Sequence, residues 1–282
     1  MKDRTAIILS VLPAVTVIFL MFIWPLLTSA DMSITDRAGN LVWFEYYNNL
    51  INDPEFVNAF WYSLYLAAAV MIVSSISAVF IALVLRETFF GKKLVLFLVQ
   101  YNMAMPTIAA CAMTVFLLDK NGFLSKILMN LGVIGSYTEF PKLLYGQYGL
   151  GLIITLIWMF VPYIGMAVLA VLTSVTREHE DQAKSLGVGK LKRFRYVILP
   201  SILPSLSLTS IVCFACVFGS YEAPTLLSGR KTLIMLAYER HADLFDYTAV
   251  SESYAISMIV FFVILAVSLI FYYFMFRGEN SE

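Results

Sequence analysis

Six stretches of the chain lack any Asp, Glu, Lys or Arg: residues 5–30, 56–85, 94–118, 143–176, 196–221 and 253–276. Charged positions are confined to the joints between them. A helix needs about 20 residues to cross about 30 Å of hydrocarbon, and every stretch is long enough. Turns over 145–149 and 174–176 shorten the expected helices, whose cores fall near 7–28, 59–85, 95–118, 150–173, 201–221 and 255–275. The pattern predicts an all-α integral membrane protein with six transmembrane helices, organised as one membrane domain over 1–282.

Composition sharpens this reading. Apolar residues make up 60% of the 282 and charged residues 13%, with a mean hydropathy of +0.82, whereas a soluble domain carries roughly 25% charged residues. The first stretch resembles a secretory signal in its charged start and in the small residues at 28–30. Its apolar run exceeds the usual h-region of about 7 to 15 residues, so a retained helix is expected. If the N-terminus is cytoplasmic, the inner segments hold 12 basic residues, Lys2 to Arg277, and the outer ones 7, Arg37 to Arg240. The inner residues crowd short loops beside helix ends, where the positive-inside bias acts. Both termini are therefore expected in the cytoplasm. The outer face is correspondingly acidic, with 12 carboxylates against 7 inside, an asymmetry that the zero net charge hides.

The inner loop over 176–200 is too polar for the bilayer. Its first part, through Leu186, contains good helix formers, with Glu178, Glu180 and Asp181 early, near the positive end of a helix dipole, and Lys184 later. Gly187 is where such a helix ends in a left-handed cap. A second short helix over 190–199 then leads to Pro200, tolerated in the first turn of the next span. The product is a helix, a tight turn and a helix, suited to docking. Asp181 shares one face with Lys184 and Ser185, while Ala183 and Gly187 share another and are small enough for close approach. The plainer alternative is a basic loop that only sets topology.

The run Asp181-Gln182-Ala183-Lys184-Ser185-Leu186-Gly187, followed by Val197-Ile198-Leu199-Pro200, resembles the E-A-A-x-x-x-G-x9-I-x-L-P signature of inner-membrane permeases of binding-protein-dependent ABC importers. Asp181 stands for the usual Glu, Gln182 for Ala and Val197 for Ile; Ala183, Gly187, Leu199 and Pro200 agree. The six-span layout and the outer segment from Asn121 to Gly135 look like the same family. The resemblance implies a type I importer (MetI-like) permease fold. It also implies that this loop is a coupling helix inserting into a cytoplasmic ATPase, with Glu180, Asp181, Gln182, Ala183, Gly187, Leu199 and Pro200 as its coupling residues. It further implies a second permease, identical or homologous, two ATPases that bind the ATP and Mg²⁺, and an extracytoplasmic binding protein.

Other chemistry is sparse. Gly187-Val188-Gly189-Lys190-Leu191 imitates a phosphate loop, but G-x-x-x-x-G-K-[ST] would need Gly at Lys184 and Ser or Thr at Leu191. His179 and His241 lie in loops on opposite sides of the membrane, so no shared metal or acid-base site is expected. Cys213 and Cys216 fall in an apolar span and, with Cys111, read as buried small residues. The helix cores hold no ionisable residue, which argues against a self-powered ion-coupled carrier, the rival reading; a membrane-embedded enzyme lacks any acid, His or nucleophile constellation. No cofactor, metal or nucleic-acid partner is expected.

Two further features bear on a pathway. Pro106, Pro162 and Gly165 offer bends within spans three and four, which serve either a gate or a passive kink. At the outer end of span five, Gly219, Ser220, Tyr221, Glu222 and Pro224 make a looped exit with Glu222 as the acid nearest the bilayer, or else a simple turn with a Tyr anchor. The wording Tyr221-Glu222-Ala223-Pro224 with Gly229 resembles the branch of the family serving polyamines, iron and phosphonates more than the sugar branch. A polyamine-type solute is the expectation drawn from it.

Overall fold

The computed structural model describes residues 11–174, 176–243 and 245–279, the side chains of 174–180 and 274–279 apart. The charged start and the final residues, on which the orientation of both termini rests, lie outside the described residues. Twelve helices are named here: α1 (Val11–Met32), α2 (Glu45–Asn52), α3 (Pro54–Leu85), α4 (Lys92–Met103), α5 (Thr107–Leu118), α6 (Phe123–Asn130), α7 (Leu150–Ser174), α8 (Thr176–Ser185), α9 (Lys190–Phe218), α10 (Glu222–Leu227), α11 (Leu233–Ala242) and α12 (Tyr247–Glu279). Among the described residues six helical stretches are long and apolar enough to cross a membrane: α1, α3, the run from Thr107 to Asn130, α7, α9 and α12. The described residues fall into two compact units, one up to residue 59 with 233–262, the other of 60–232 with those from 263 on.

The first unit holds α1, α2, α11 and one end each of α3 and α12. Asp36 closes a turn by accepting the Ala38 and Asn40 N–H groups at 2.8 Å each, and the bonds from Asn40 hold its carboxyl below the usual range. Asp53 caps α3, accepting the Glu55 N–H at 2.8 Å, with Pro54 in the first turn where its missing N–H costs nothing. Arg240 from α11 donates to both Asp53 and Glu252. This corrects the expectation for the last span. α12 begins at Tyr247 rather than near 255, so an acid sits in its second turn, tolerated because a guanidinium neutralises it.

The second unit is built around α7, where 56% of the most apolar window is buried. α9 packs against it, and Ile198, Ile202, Ser210, Phe214 and Phe218 of α9 are buried, spaced by one or two turns along one face. Where an apolar medium offers no hydrophobic drive, hydroxyl pairs and small residues join helices. Ser75 of α3 lies 2.7 Å from Ser210 of α9. Thr114 of α5 lies 2.8 Å from Thr155 of α7; whichever donates across relinquishes its bond to the carbonyl of Ala110 or Gly151. A Cβ on Gly165 would stand an ordinary 3.6 Å from the Ala78 carbonyl oxygen, so the packing there does not require glycine.

Span three differs from expectation. The predicted helix over 95–118 is two helices, because α4 stops at Met103 and Pro106 is extended at ψ 141° before α5. Pro106 lacks an N–H for the ladder and disfavours helical backbone at Met105. Around Pro200 the opposite holds, since no break separates a short helix from a span. α9 runs unbroken from Lys190, and a π turn over Phe194–Ile198 widens the coil just ahead of Pro200, easing the proline ring past the preceding turn. The cysteines are free, and Cys111 and Cys213 are buried as predicted, but Cys216 is exposed on the surface of α9. The buried stripe there is Cys213, Phe214, Val217 and Phe218, and Cys216 falls outside it.

Candidate functional site

α8 ends in a two-bond cap. Gly187 is left-handed at φ 74°; its N–H donates to the Lys184 carbonyl at 3.0 Å and that of Val188 to the Ala183 carbonyl at 3.0 Å. This is a Schellman closure, which glycine adopts without the Cβ penalty. The sequence placed the cap at the observed residue. The turn sends the chain back so that α8 packs against the π turn of α9 and against Lys190–Arg193, a helical hairpin. Asp181 and Gln182 are exposed, Ala183 and Leu199 half-buried, Gly187 and Pro200 exposed. The backbone of Glu180 lies in α8; its side chain, like that of His179, is outside the described residues.

Two leucines complete the hairpin. Leu186 is 83% exposed and Leu191 82% exposed, one on each side of the Gly187 turn in a segment otherwise polar. Each would gain about 1.5–3 kcal/mol on full burial. Sequence reading passed over both because each fits a helical pattern; the signal was their position beside the cap.

At the other end of α9 the chain turns at Gly219, whose N–H donates to the Ala215 carbonyl at 3.0 Å. Its φ of −89° needs no glycine. α10 then packs against α5 and α7, burying Ala223, Pro224 and Leu227 while Glu222 is exposed. Of the outer-turn residues, Pro224 is thus a packing residue, Gly219 and Glu222 are exposed, and Ser220 and Tyr221 are half-buried. The chain beyond α9 is thus a short helix packed on α5 and α7.

Beyond α10 lies a cluster the sequence did not reveal. Tyr62 and Ser228 hydroxyls are 2.8 Å apart, Ser228 Oγ donates to the Arg230 carbonyl at 2.7 Å, and the guanidinium of Arg230 lies 4.8 Å from the centre of the Tyr62 ring. Among the described residues Arg230 has no carboxylate partner. The backbone here is tight. A Cβ on Gly229 would stand 2.1 Å from the Tyr145 carbonyl oxygen, so only glycine lets the strand of chain pass.

Comparison with known proteins agrees with this architecture. The model for "Binding-protein-dependent transport system inner membrane component" matches residues 77–278. The sulfate transport system permease protein CysT of Salmonella typhimurium is 26% identical over 257 residues, 89% of this chain and 86% of its own. The sn-glycerol-3-phosphate transport system permease protein UgpA of Pectobacterium atrosepticum is 25% identical over 285 residues, 96% and 94% of the two chains. A chain in the crystal structure of a bacterial ABC transporter that imports the acidic polysaccharide alginate superposes with a TM-score of 0.82 at 16% identity, over 98% and 96% of the chains. The chain belongs to the binding-protein-dependent transport system inner membrane components and is a permease subunit of an ABC importer, a transport subunit rather than an enzyme.

Proposed function

We propose that the hairpin of α8 and the start of α9 is the contact through which a cytoplasmic ATPase drives this permease, and that a second permease completes the pathway. A binding protein outside the membrane delivers the solute. The observation that carries this reading is the capped turn at Gly187 flanked by the exposed Leu186 and Leu191. The two leucines enter a partner's cleft while Asp181 and Gln182 meet its polar rim. ATP closes the paired ATPases, the hairpins move with them, and the pathway opens outward. Residues 176–200 then face the cytoplasm, as the basic-residue count supports. Single cysteines introduced at Ser185 and Lys126, on a background lacking Cys111, Cys213 and Cys216, test the orientation. An impermeant thiol reagent applied from the cytoplasmic side is expected to label position 185 and not 126; the reverse pattern would overturn the topology.

For the solute, the polyamine-type expectation finds no support in relatives named for sulfate and sn-glycerol-3-phosphate. We favour a small anionic solute, and Arg230, stacked on Tyr62 with no carboxylate partner among the described residues, supplies the charge at the outer side. One such pair at a hydrated mouth is worth about 1–4 kcal/mol before desolvation. The exposed Glu222 supports the second reading, a cationic solute. In vesicles holding the assembled importer, Arg230→Gln is expected to lower uptake about tenfold, and Glu222→Gln to leave it unchanged or raise it, by the same Coulomb arithmetic. The opposite pair of results would restore the cationic reading.

A further inference from the structure

An open cleft of about 690 Å³ runs between α4 and α7, with Asn102, Met105, Trp158 and Pro162 among its lining residues. Beside it α4 ends and α7 lacks one ladder bond. α4 ends at Met103 and the chain is extended at Pro106. Pro162 lies within α7, and since it has no N–H, the carbonyl four residues earlier, that of Trp158, receives no bond from it. An unpaired carbonyl in an apolar span is costly. Asn102 supplies the missing donor, its Nδ2 reaching the Trp158 oxygen at 2.7 Å. Its side chain is 9% exposed, and Oδ1 has no hydrogen-bond partner among the described residues.

We infer that Asn102 is a positioning residue for transport: its amide stands in for the N–H that Pro162 lacks, and this single hydrogen bond is the joint on which α4 and α7 move when the pathway opens. The inference rests on the permease reading above. Three observations carry it. The bond replaces the one ladder bond that Pro162 removes from α7, and it is made one residue before α4 ends at Met103, so it joins a weakened point of one helix to the end of the other. The cleft leaves room for movement that a close-packed interior would deny. The unpartnered Oδ1 leaves this arrangement half-satisfied, a cost that any arrangement giving Oδ1 a donor would remove.

The test is a double-mutant cycle in the purified complex with its ATPases. Asn102→Leu removes the donor at similar volume and is expected to lower the thermal unfolding midpoint by about 3 °C or more. In a Pro162→Ala background the residue at 162 gives the Trp158 carbonyl its own N–H, so Asn102→Leu is expected to have no such effect. Asn102→Gln, which keeps an amide donor, is expected to retain most of the stability. If Asn102→Leu alone fails to assemble, the double variant is expected to recover assembly. Movement is read separately by spin labels at Leu98 and Ile154. Their separation is expected to change when the complex is trapped with ATP and vanadate, and that change should be lost in Pro162→Ala. An equal penalty in both backgrounds, a double variant that also fails to assemble, or a separation unmoved by trapping in the otherwise native complex would overturn the proposal. Failure of the ATPases to co-purify would instead strike the permease reading, while the thermal cycle would still report on the bond.

Discussion

Gly187→Val is expected to uncouple ATP hydrolysis from transport while leaving the membrane spans folded. The effect comes from backbone conformation, because nothing stands within 4 Å of where the Cβ would be. At φ 74° a β-branched residue is a strained outlier, costing about 1–3 kcal/mol. The chain escapes by leaving the left-handed region, which breaks the bonds from Gly187 and Val188 to the Lys184 and Ala183 carbonyls. The path of the chain from Leu186 to Leu191 then changes. A coupling loss of about 1–3 kcal/mol corresponds to roughly 5–150-fold, so solute moved per ATP should fall by at least fivefold. Gly187→Ala, strained but not branched, should fall between. Leu186→Asp, with the cap intact, should reduce ATPase co-purification by removing the apolar contact itself. Transport at the native rate by assembled Gly187→Val complexes would show that the turn is no pivot.

Arg240→Met is expected to give the largest loss of stability among single changes outside the hairpin. Arg240 is the common partner of Asp53 and Glu252, and the side chains are 17%, 28% and 14% exposed. Removing one partner of a largely buried ion group leaves the others charged and desolvated, at about 3–5 kcal/mol for full burial; partial exposure here lowers this to about 2–3 kcal/mol. A triple change of Arg240, Asp53 and Glu252 to apolar residues of similar size should cost less than Arg240→Met alone. The thermal unfolding midpoint in detergent measures both. A single change within about 0.5 kcal/mol of the native value, the range of ordinary surface substitutions, would show that water screens the cluster.

The features legible in the sequence were those whose physics is local. Charge-free length marked most of the spans, and one glycine beyond an amphipathic stretch marked the cap of α8 at its observed position. What escaped depended on partners distant in sequence. Pro106 read as a bend within a span, since prolines are tolerated in membrane helices when neighbours re-satisfy the backbone; here the chain breaks instead, while Pro162 is kept within its helix with the help of Asn102, 56 residues away in α4. The early start of α12 was hidden because Glu252 is admitted only by Arg240 from another helix. In the sequence Arg230 is one more basic residue, and only the fold sets Tyr62, far earlier in the chain, beneath it.

The central claim is that this permease moves solute only when cytoplasmic ATPases act through the hairpin of α8 and α9. The direct measurement is uptake by vesicles containing the purified complex, with the solute identified by mass spectrometry from the binding protein isolated from the same cells. Uptake is expected to require ATP in the compartment facing residues 176–200 together with loaded binding protein outside, and to vanish when the ATPases are omitted. Uptake of that solute by the chain alone, driven by an ion gradient and indifferent to ATP, would contradict the account.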